Sequence, residues 1–220
     1  FVTTANTLPD IPLPLQDRDF AQWQSRDEQK EATAKQKEYW LSNFSQLPSV
    51  LNLPLDFSRP PVRQTEGKVA VFTISETLTS GLRTLARETD STLYMVLLAV
   101  HNVLLSKLTG HDDITVGTPV AARRHPDLEP VIGMFVNTLA MRNNPGPATP
   151  FSQFLGRVKE RTVAAFDHQE YPFEDLVEQL DVPREASRNP LFDVVFNLMN
   201  QTESNQTVPQ ETGDRVTHLP

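Results

Sequence analysis

The chain has 220 residues, of which 20 are basic and 28 acidic, so its formal net charge is −8. This acidic balance, without a basic cluster, argues against nucleic acid or an anionic membrane as the main partner. The absence of cysteine excludes disulfides, thiolate nucleophiles and thiolate metal ligands. The five histidines are scattered and form no metal-binding motif, so we predict no metal site.

The N-terminal residues show no signal-peptide pattern and no initiator methionine. We therefore expect a cytoplasmic protein and a piece of a longer chain. Residues 1–26, which begin with a proline-rich stretch, are predicted to form an extended lead-in. Residues 27–200 are predicted to form one lobe, and the polar residues 201–220 to form a loop or tail.

Hydrophobic periodicity predicts alternating helices and strands over the lobe, which is typical of an α/β fold. Helices are predicted over 27–44, 76–88, 92–108, 149–166 and 173–180. Strands are predicted over 68–74, 114–121, 131–141 and 191–199. Pro119 lies inside the second of these strands and predicts a sheet edge or a bulge there.

The helix over 92–108 is apolar around most of its circumference and is predicted to be the most buried helix. A membrane span is the alternative, but polar residues from His101 onward cut the apolar run short of the ~20 residues required. His101 itself fits a core histidine with satisfied hydrogen bonds better than a catalyst.

The stretch from Val131 to Arg142 is a run of good strand formers that contains one glycine and one asparagine. Alternation places the Asn137 amide on an apolar face, where it needs hydrogen-bond partners. One interpretation is a structural asparagine bonded to nearby backbone. The other is a central strand that presents an amide to a substrate channel, and the pattern does not choose between them.

Local chemistry supplies no nucleophile elbow, phosphate loop or separated carboxylate pair. Glu170 and Glu174 are four residues apart, as many solvated pairs are. The Arg123-Arg124-His125 turn fits an exposed surface turn, with a phosphate-binding corner as the alternative. Arg188 and Asp193 flank a predicted strand, and an ion pair between them would hold it in place.

Four motifs nevertheless occur in a specific order. They are Asp19-Phe20-Ala21-x-Trp23, then Ile132-Gly133-Met134-Phe135-Val136-Asn137-Thr138 with Arg142, then His168-Gln169-Glu170-Tyr171-Pro172-Phe173-Glu174, then Ser187-Arg188-Asn189-Pro190-Leu191-Phe192. Together they resemble the second half of a condensation domain of nonribosomal peptide synthetases over residues 8–200. Shorter matches at Leu53-Pro54-x-Asp56, Arg59-Pro60 and Gly117-Thr118-Pro119-Val120 support the resemblance.

The resemblance implies the C-terminal lobe of a V-shaped pair with a chloramphenicol-acetyltransferase-like fold, α/β (α+β), in which helices pack on a mixed sheet. It implies a tunnel between the lobes, where an acceptor amine attacks a donor thioester and forms an amide. The implied partners are donor and acceptor peptidyl carrier proteins, the N-terminal lobe and an adenylation domain. No cofactor would bind this lobe directly, because the substrates are carried on the phosphopantetheine of the carriers.

Three departures from the family limit this resemblance. The His-His-x-x-x-Asp-Gly motif, which holds the catalytic histidine, belongs to the first lobe and is absent from this sequence, so no catalytic residue is assigned here. The usual tyrosine two residues before Asp19 is Asp17. The closing part of the lobe, expected after 201–220, is also missing.

The resemblance also divides the motif residues by role. Those implied to line the substrate tunnel are Gly117, Thr118, Gly133, Phe135 and Asn137. Those implied to be structural are Asp19, Trp23, Arg142, His168, Pro172, Phe173, Glu174, Arg188, Asn189 and Pro190. An epimerization domain and a non-catalytic lobe that docks carrier proteins are the alternatives.

Overall fold

The computed structural model describes residues 15–24, 26–123, 125–183 and 185–199. Most of the predicted lead-in and all of the predicted tail therefore lie outside the described residues. The helices are α1 (Asp17–Gln24), α2 (Asp27–Asn43), α3 (Glu76–Glu88), α4 (Leu93–Thr109), α5 (Phe151–Asp167) and α6 (Phe173–Gln179), and the strands are β1 (Ile114–Ala121) and β2 (Val136–Asn143). The prediction of an extended segment up to residue 26 is wrong over α1. A short 3₁₀ turn covers Pro126–Leu128.

The four helices from α2 to α5 begin and end close to the predicted positions because their end signals are local. Thr92 caps α4 by accepting a hydrogen bond from the Met95 amide at 3.2 Å. Gly110 ends the same helix in the left-handed conformation, with φ of 72°. Thr92, predicted as the first residue of this helix, is thus its cap.

The core lies where α4 and α5 pack against the β1–β2 hairpin and α3 packs against α4. Val96, Leu98 and Ala99 of α4 are completely buried, as predicted for this helix. Its circumference is not buried all round, however. Val100, Leu104 and Leu108, which share one helical face, are 45%, 51% and 50% exposed. The helix is therefore buried on one side and about half exposed on the other.

The sheet is smaller than predicted. β1 and β2 pair antiparallel, from Ile114 opposite Asn143 to Ala121 opposite Val136. The predicted strand 191–199 is reduced to one parallel bridge, in which the Gly117 amide donates to the Val194 carbonyl and the Phe196 amide donates to the Gly117 carbonyl. The next bond of a parallel ladder would need an amide hydrogen from Pro119, which proline lacks. The Thr118 hydroxyl bonds the Phe196 carbonyl instead, at 3.2 Å.

The strand predicted over 68–74 is wrong. This segment forms no strand, and side chains from both alternating faces are exposed: Val69 by 89%, Val71 by 88% and Phe72 by 82%. Alternation gives a segment the side-chain pattern of a strand, but a ladder also needs a second chain segment to pair with. None of the described residues supplies one here.

Arg142 joins three parts of the fold. Its Nε and Nη2 donate to the Asp113 carboxylate at 2.9 and 2.7 Å. Its Nη1 donates to the carbonyls of Asn43 and Gln46, at the end of α2 and just after it, at 2.8 and 2.6 Å. One guanidinium thus fixes β2, the start of β1 and the end of α2, whose last carbonyls have no helical partner.

Within the described residues, no single helix is long and apolar enough to cross a membrane. Only α3 and α4 taken together reach that length and composition, and they are bent by 107° where they meet.

Leu98 and Leu104 provide a matched pair for testing the buried face of α4. We expect Leu98→Ala to lower the free energy of unfolding by about 2–5 kcal/mol, because it opens a cavity in a fully buried site. Leu104→Ala, on the exposed stripe, should cost under about 1 kcal/mol. Urea unfolding followed by circular dichroism measures both, and equal losses would contradict the assignment of the two faces.

Candidate functional site

Two of the predicted tunnel residues, Phe135 and Asn137, line a cavity of about 760 Å³ at the start of β2. The cavity lies between α1, α2, the loop that connects α5 to α6, and α6 itself. Gly117, Thr118 and Gly133 are not among its lining residues. The structure therefore brings together only part of the predicted tunnel set.

The Asn137 amide is fully used by the loop between α5 and α6. Its Nδ2 donates to the carbonyls of Gln169 and Tyr171, both at 2.8 Å. Its Oδ1 accepts from the amides of Thr138 and Phe173 at 2.8 and 3.1 Å. Both donor hydrogens and both acceptor positions of the side chain are thus occupied. These contacts fit the interpretation of Asn137 as a structural asparagine bonded to nearby backbone. Its place on a substrate tunnel remains a prediction.

Gln36 of α2 holds the same loop from the opposite side. Its Oε1 accepts from the amides of Glu170 and Tyr171 at 2.9 and 3.2 Å, and its Nε2 donates to the Glu170 carboxylate at 2.8 Å. The side chain is buried. This role of Gln36 was not predicted from the sequence. The position of Gln36, one turn before Trp40 on the apolar face of the helix, could have predicted it. A buried amide at such a position needs hydrogen-bond partners.

The aromatic neighbours of Gln36 complete the attachment of this loop. Trp40 donates its indole hydrogen to the His168 carbonyl at 2.8 Å. The His168 ring stacks on Tyr39 with 4.1 Å between ring centres, and its Nδ1 lies 2.7 Å from the Ala164 carbonyl. Pro172 precedes the first residue of α6, where it costs no helical hydrogen bond. These contacts attach the loop to α2 and α5, and the structural role implied for the motif 168–174 stays a prediction.

Glu170 and Glu174 do not form a site suited to acid–base catalysis. Both residues are exposed, and the Glu170 carboxylate bonds Gln36.

A second small cluster holds α1 against the segment before β2. Leu128, Val131 and Phe135 are buried there, with Leu15 and Phe20 packed on them. The Phe20 ring lies 4.9 Å from Phe135 and 5.6 Å from Trp23. Asp19 stabilises the start of α1 by accepting from the Gln16 amide at 3.0 Å. Phe135 therefore contributes to both this cluster and the wall of the cavity.

The backbone at Gly133 lies close to neighbouring side chains. A Cβ at this position would lie 2.6 Å from a carboxylate oxygen of Asp17. Residues 131–135 are not part of β2, so the predicted strand begins five residues too early.

The Arg123 guanidinium bonds the carbonyls of Leu128, Val131 (2.7 Å) and Gly133 (3.3 Å) and lies 4.1 Å from the Phe135 ring centre. These hydrogen bonds tie Arg123 to the loop before β2. Arg124 lies outside the described residues, so the phosphate-binding alternative for this turn stays a prediction.

Gly117 and Thr118 are engaged in packing at the bridge to the segment 194–196. A Cβ on Gly117 would lie 2.4 Å from a ring carbon of Phe192. Thr118 is buried, and its hydroxyl lies 2.8 Å from the Tyr94 hydroxyl. Burial raises the pKa of Tyr94, which keeps this phenol neutral. Both residues thus face the interior of the described lobe.

The predicted ion pair between Arg188 and Asp193 is present, with Nη1 2.5 Å from Oδ2. Arg59 approaches the other oxygen of Asp193 at 3.8 Å. Asn189 accepts a hydrogen bond from Arg63 at 3.0 Å. Pro190 lies just before Leu191, whose φ of 67° bends the chain into the bridge with β1. These contacts anchor the segment after α6 to the connector between α2 and α3.

His101 differs from its prediction in one respect. Its ring stacks on Phe196 at 5.4 Å and burial lowers its pKa, as expected in a core. Its Nε2, however, is buried and has no hydrogen-bond partner among the described residues. Across those residues, no group of three histidine, aspartate or glutamate side chains could hold a metal ion.

The family model for the condensation domain matches residues 6–218. This chain belongs to the condensation-domain family. The resemblance carried by the four motifs is thereby confirmed, and so is the chloramphenicol-acetyltransferase-like α/β fold.

Curated relatives of this condensation-domain chain include large synthetases. Tyrocidine synthase 3 of Brevibacillus parabrevis is 51% identical over 201 residues, 91% of this chain and 3% of that protein. Gramicidin S synthase 2 of Brevibacillus brevis is 49% identical over 89% of this chain and 4% of that protein. Bacitracin synthase 3 of Bacillus licheniformis is 48% identical over 88% of this chain and 3% of that protein. The chain therefore spans a small part of each relative.

Solved structures give the same result. A four-domain nonribosomal peptide synthetase bound to AMP and glycine superposes with a TM-score of 0.76 at 31% identity, covering 84% of this chain and 14% of that one. The X-domain from teicoplanin biosynthesis gives a TM-score of 0.77 over 84% of this chain and 42% of that one, at 24% identity, which shows the fold alone.

Asn137 can be tested by removing its amide. We expect Asn137→Ala to lower the free energy of unfolding by about 1–3 kcal/mol for each loop group left buried and unpaired. Asn137→Asp should destabilise at least as much, since a carboxylate oxygen would face the carbonyls of Gln169 and Tyr171. Asn52→Ala makes the same truncation at an exposed position and should change little. An unchanged melting temperature for Asn137→Ala would contradict the loop-holding role.

Gly117 can be tested by adding one methyl group. We expect Gly117→Ala to cost about 1–3 kcal/mol, because the new Cβ would overlap the Phe192 ring. Gly156→Ala on α5, where a Cβ meets nothing within 4 Å, should instead stabilise by about 0.5–1 kcal/mol. Thermal unfolding measures both. The double variant Gly117→Ala with Phe192→Leu should recover part of the loss, and no recovery would show that the clash is not the cause.

Proposed function

We propose that this chain is the second lobe of a condensation domain that forms amide bonds in a nonribosomal peptide synthetase. The observation that carries the proposal is the family match over residues 6–218. Relatives that are named as peptide synthases and are about half identical to the chain support it. In this reaction the acceptor amine attacks the donor thioester carbonyl. The C–N bond forms, the C–S bond breaks, and the amine loses a proton while the leaving thiolate gains one.

This lobe would contribute walls and positioning to that reaction. Aminolysis of an activated thioester depends mainly on holding the two reactants in attack geometry, with modest help in proton transfer. Phe135 and Asn137 are the best candidates for the tunnel wall, because they line the 760 Å³ cavity. Gly117, Thr118 and Gly133 would act indirectly, through packing that sets the positions of β1 and of the segment before β2.

The proposed partners follow from the same family membership. Donor and acceptor carrier proteins would present substrates on phosphopantetheine, the N-terminal lobe would supply the catalytic histidine, and an adenylation domain would lie next to it in the assembly. The proposal includes no cofactor bound by this lobe itself.

The two alternatives receive less support. An epimerization domain shares the fold, but this chain carries the Phe135-Val136-Asn137-Thr138 pattern that such domains usually lack. For the non-catalytic docking lobe, one similar structure is a complex of the X-domain and OxyB from teicoplanin biosynthesis. That likeness, at 24% identity, extends only to the fold.

The proposal is tested with residues 1–220 alone and with the complete domain. We expect the chain alone to give no condensation above the uncatalysed rate when offered loaded donor and acceptor carrier proteins. A tunnel wall without its facing lobe cannot hold two tethered substrates together. Adding the first lobe should restore product only if the lobe interface and the closing strands are restored too. Mass spectrometry of the product measures each case.

The controls for this assay are variants of the chain alone, with His101, His111, His125 and His168 each changed to alanine. Turnover by the chain that disappears in one of these variants would show that the catalytic centre lies in this lobe. A complete domain with both lobes that forms no amide with any carrier pair would instead favour the docking alternative.

A further inference from the structure

Residues 64–74, which lead into α3, leave their backbone open to a partner. None of their N–H and C=O groups has a hydrogen-bond partner among the described residues. The chain is held just before them, where the Arg63 amide donates to the Ala186 carbonyl at 2.9 Å, and just after them, where Ser75 caps α3. Exposed and unpaired backbone of this kind is a template for pairing with another strand.

The side chains of the same segment favour a paired strand. Val69, Val71 and Phe72 are almost fully exposed, and Ile74 is 40% exposed. Alternation places the two valines on one face and Phe72 and Ile74 on the other. β-Branched and aromatic residues pair well across strands, and leaving them in water forgoes the free energy of their burial. The segment therefore has the composition of a strand and lacks a partner within the described part of the chain.

The rest of the chain offers no better partner than the segment itself. β1 and β2 already pair with each other. Residues 201–220 are mostly polar and have no alternating apolar run, and residues 1–14 contain three prolines, which lack the amide hydrogen that a ladder needs. An antiparallel pair of identical segments satisfies both copies equally, and a second copy is present in any solution of this chain.

One antiparallel register matches the charges of the two copies. When the two-fold axis lies between the two Phe72 residues, Lys68 of each copy lies opposite Glu76 of the other. Lys68 and Glu76 are exposed, and neither is bonded to another side chain of the described residues. The two Phe72 rings then meet at the axis, where an aromatic pair stabilises the paired strands.

Moving the axis removes this complementarity. An axis at Val71 places Glu66 opposite Glu76 at both ends, and like charges directly opposite each other destabilise a strand pair. An axis at Ala70 places Lys68 opposite an apolar side chain, so no charge is matched. Among these three registers, the sequence therefore favours the one centred on Phe72.

We propose that residues 68–74 are an interaction edge whose partner is a second copy of this chain, paired antiparallel about Phe72. The same surface is used on both copies, so the assembly closes as a two-fold symmetric dimer. The main-chain hydrogen bonds hold the two strands together, and the Lys68–Glu76 pairs set their register. This proposal does not depend on the proposed condensation activity.

The test is the oligomeric state of the 220-residue chain, measured by sedimentation over a range of concentrations. We expect a monomer–dimer equilibrium. Phe72→Lys puts two like charges at the axis and should weaken dimerisation about tenfold or more. Leu104→Lys puts the same charge on the exposed apolar face of α4 and should leave the dimerisation constant within about twofold.

The register is tested by exchanging the paired charges. Lys68→Glu alone, or Glu76→Lys alone, creates two like-charged pairs in the dimer and should weaken it about fivefold or more. The double variant restores opposite charges and should return the dimerisation constant to within about twofold of the original. These positions are exposed, so the fold should persist in each variant, and circular dichroism checks this.

Three results would overturn the proposal. A chain that stays monomeric at its highest soluble concentration would leave the edge to a strand from another protein. Dimerisation that is weakened by Leu104→Lys and not by Phe72→Lys would place the interface on α4. A double charge variant that recovers nothing would show that the strands do not pair about Phe72.

Discussion

The loop between α5 and α6 imposes the constraint on which the described site depends. The backbone N–H and C=O groups of this loop lie between two helices, and neither helix supplies hydrogen-bond partners for all of them. Gln36 and Trp40 of α2 and Asn137 of β2 satisfy them instead. Elements about 100 residues apart in sequence are therefore joined through one short loop. The position of α6, and with it one wall of the larger cavity, follows from these hydrogen bonds.

The sequence predicted best those features whose causes are local. The bounds of α4 could be derived because Thr92 and Gly110 act on their own neighbours. The need for partners at Asn137 could also be derived, because an amide on an apolar strand face has to bond something. Which groups it bonds could not, since Gln169 and Tyr171 come close only after α5 has packed on the sheet. The same reason explains why Gln36 was missed.

The strands were predicted less well, because a strand exists only as part of a pair. The segment 68–74 alternates as clearly as β1 does, yet only β1 has a partner among the described residues. At 191–199, Pro119 on the neighbouring strand removes the donor that would extend the bridge, an effect that no inspection of 191–199 itself could reveal. The first residues of the predicted strand at 131 are held by Arg123 in a loop, where their carbonyls bond a side chain and not a neighbouring strand.

The attachment of α1 has a consequence for the dynamics of the lobe. None of the residues of α1 is buried, and the helix meets the rest of the described chain through Phe20 in the cluster around Phe135 and through contacts with α2. That cluster is separate from the main core, so α1 can detach and return while the core stays folded. Its amide hydrogens should exchange with solvent through this local opening, much faster than those of α4. We therefore expect the release of α1 to cost less free energy than global unfolding.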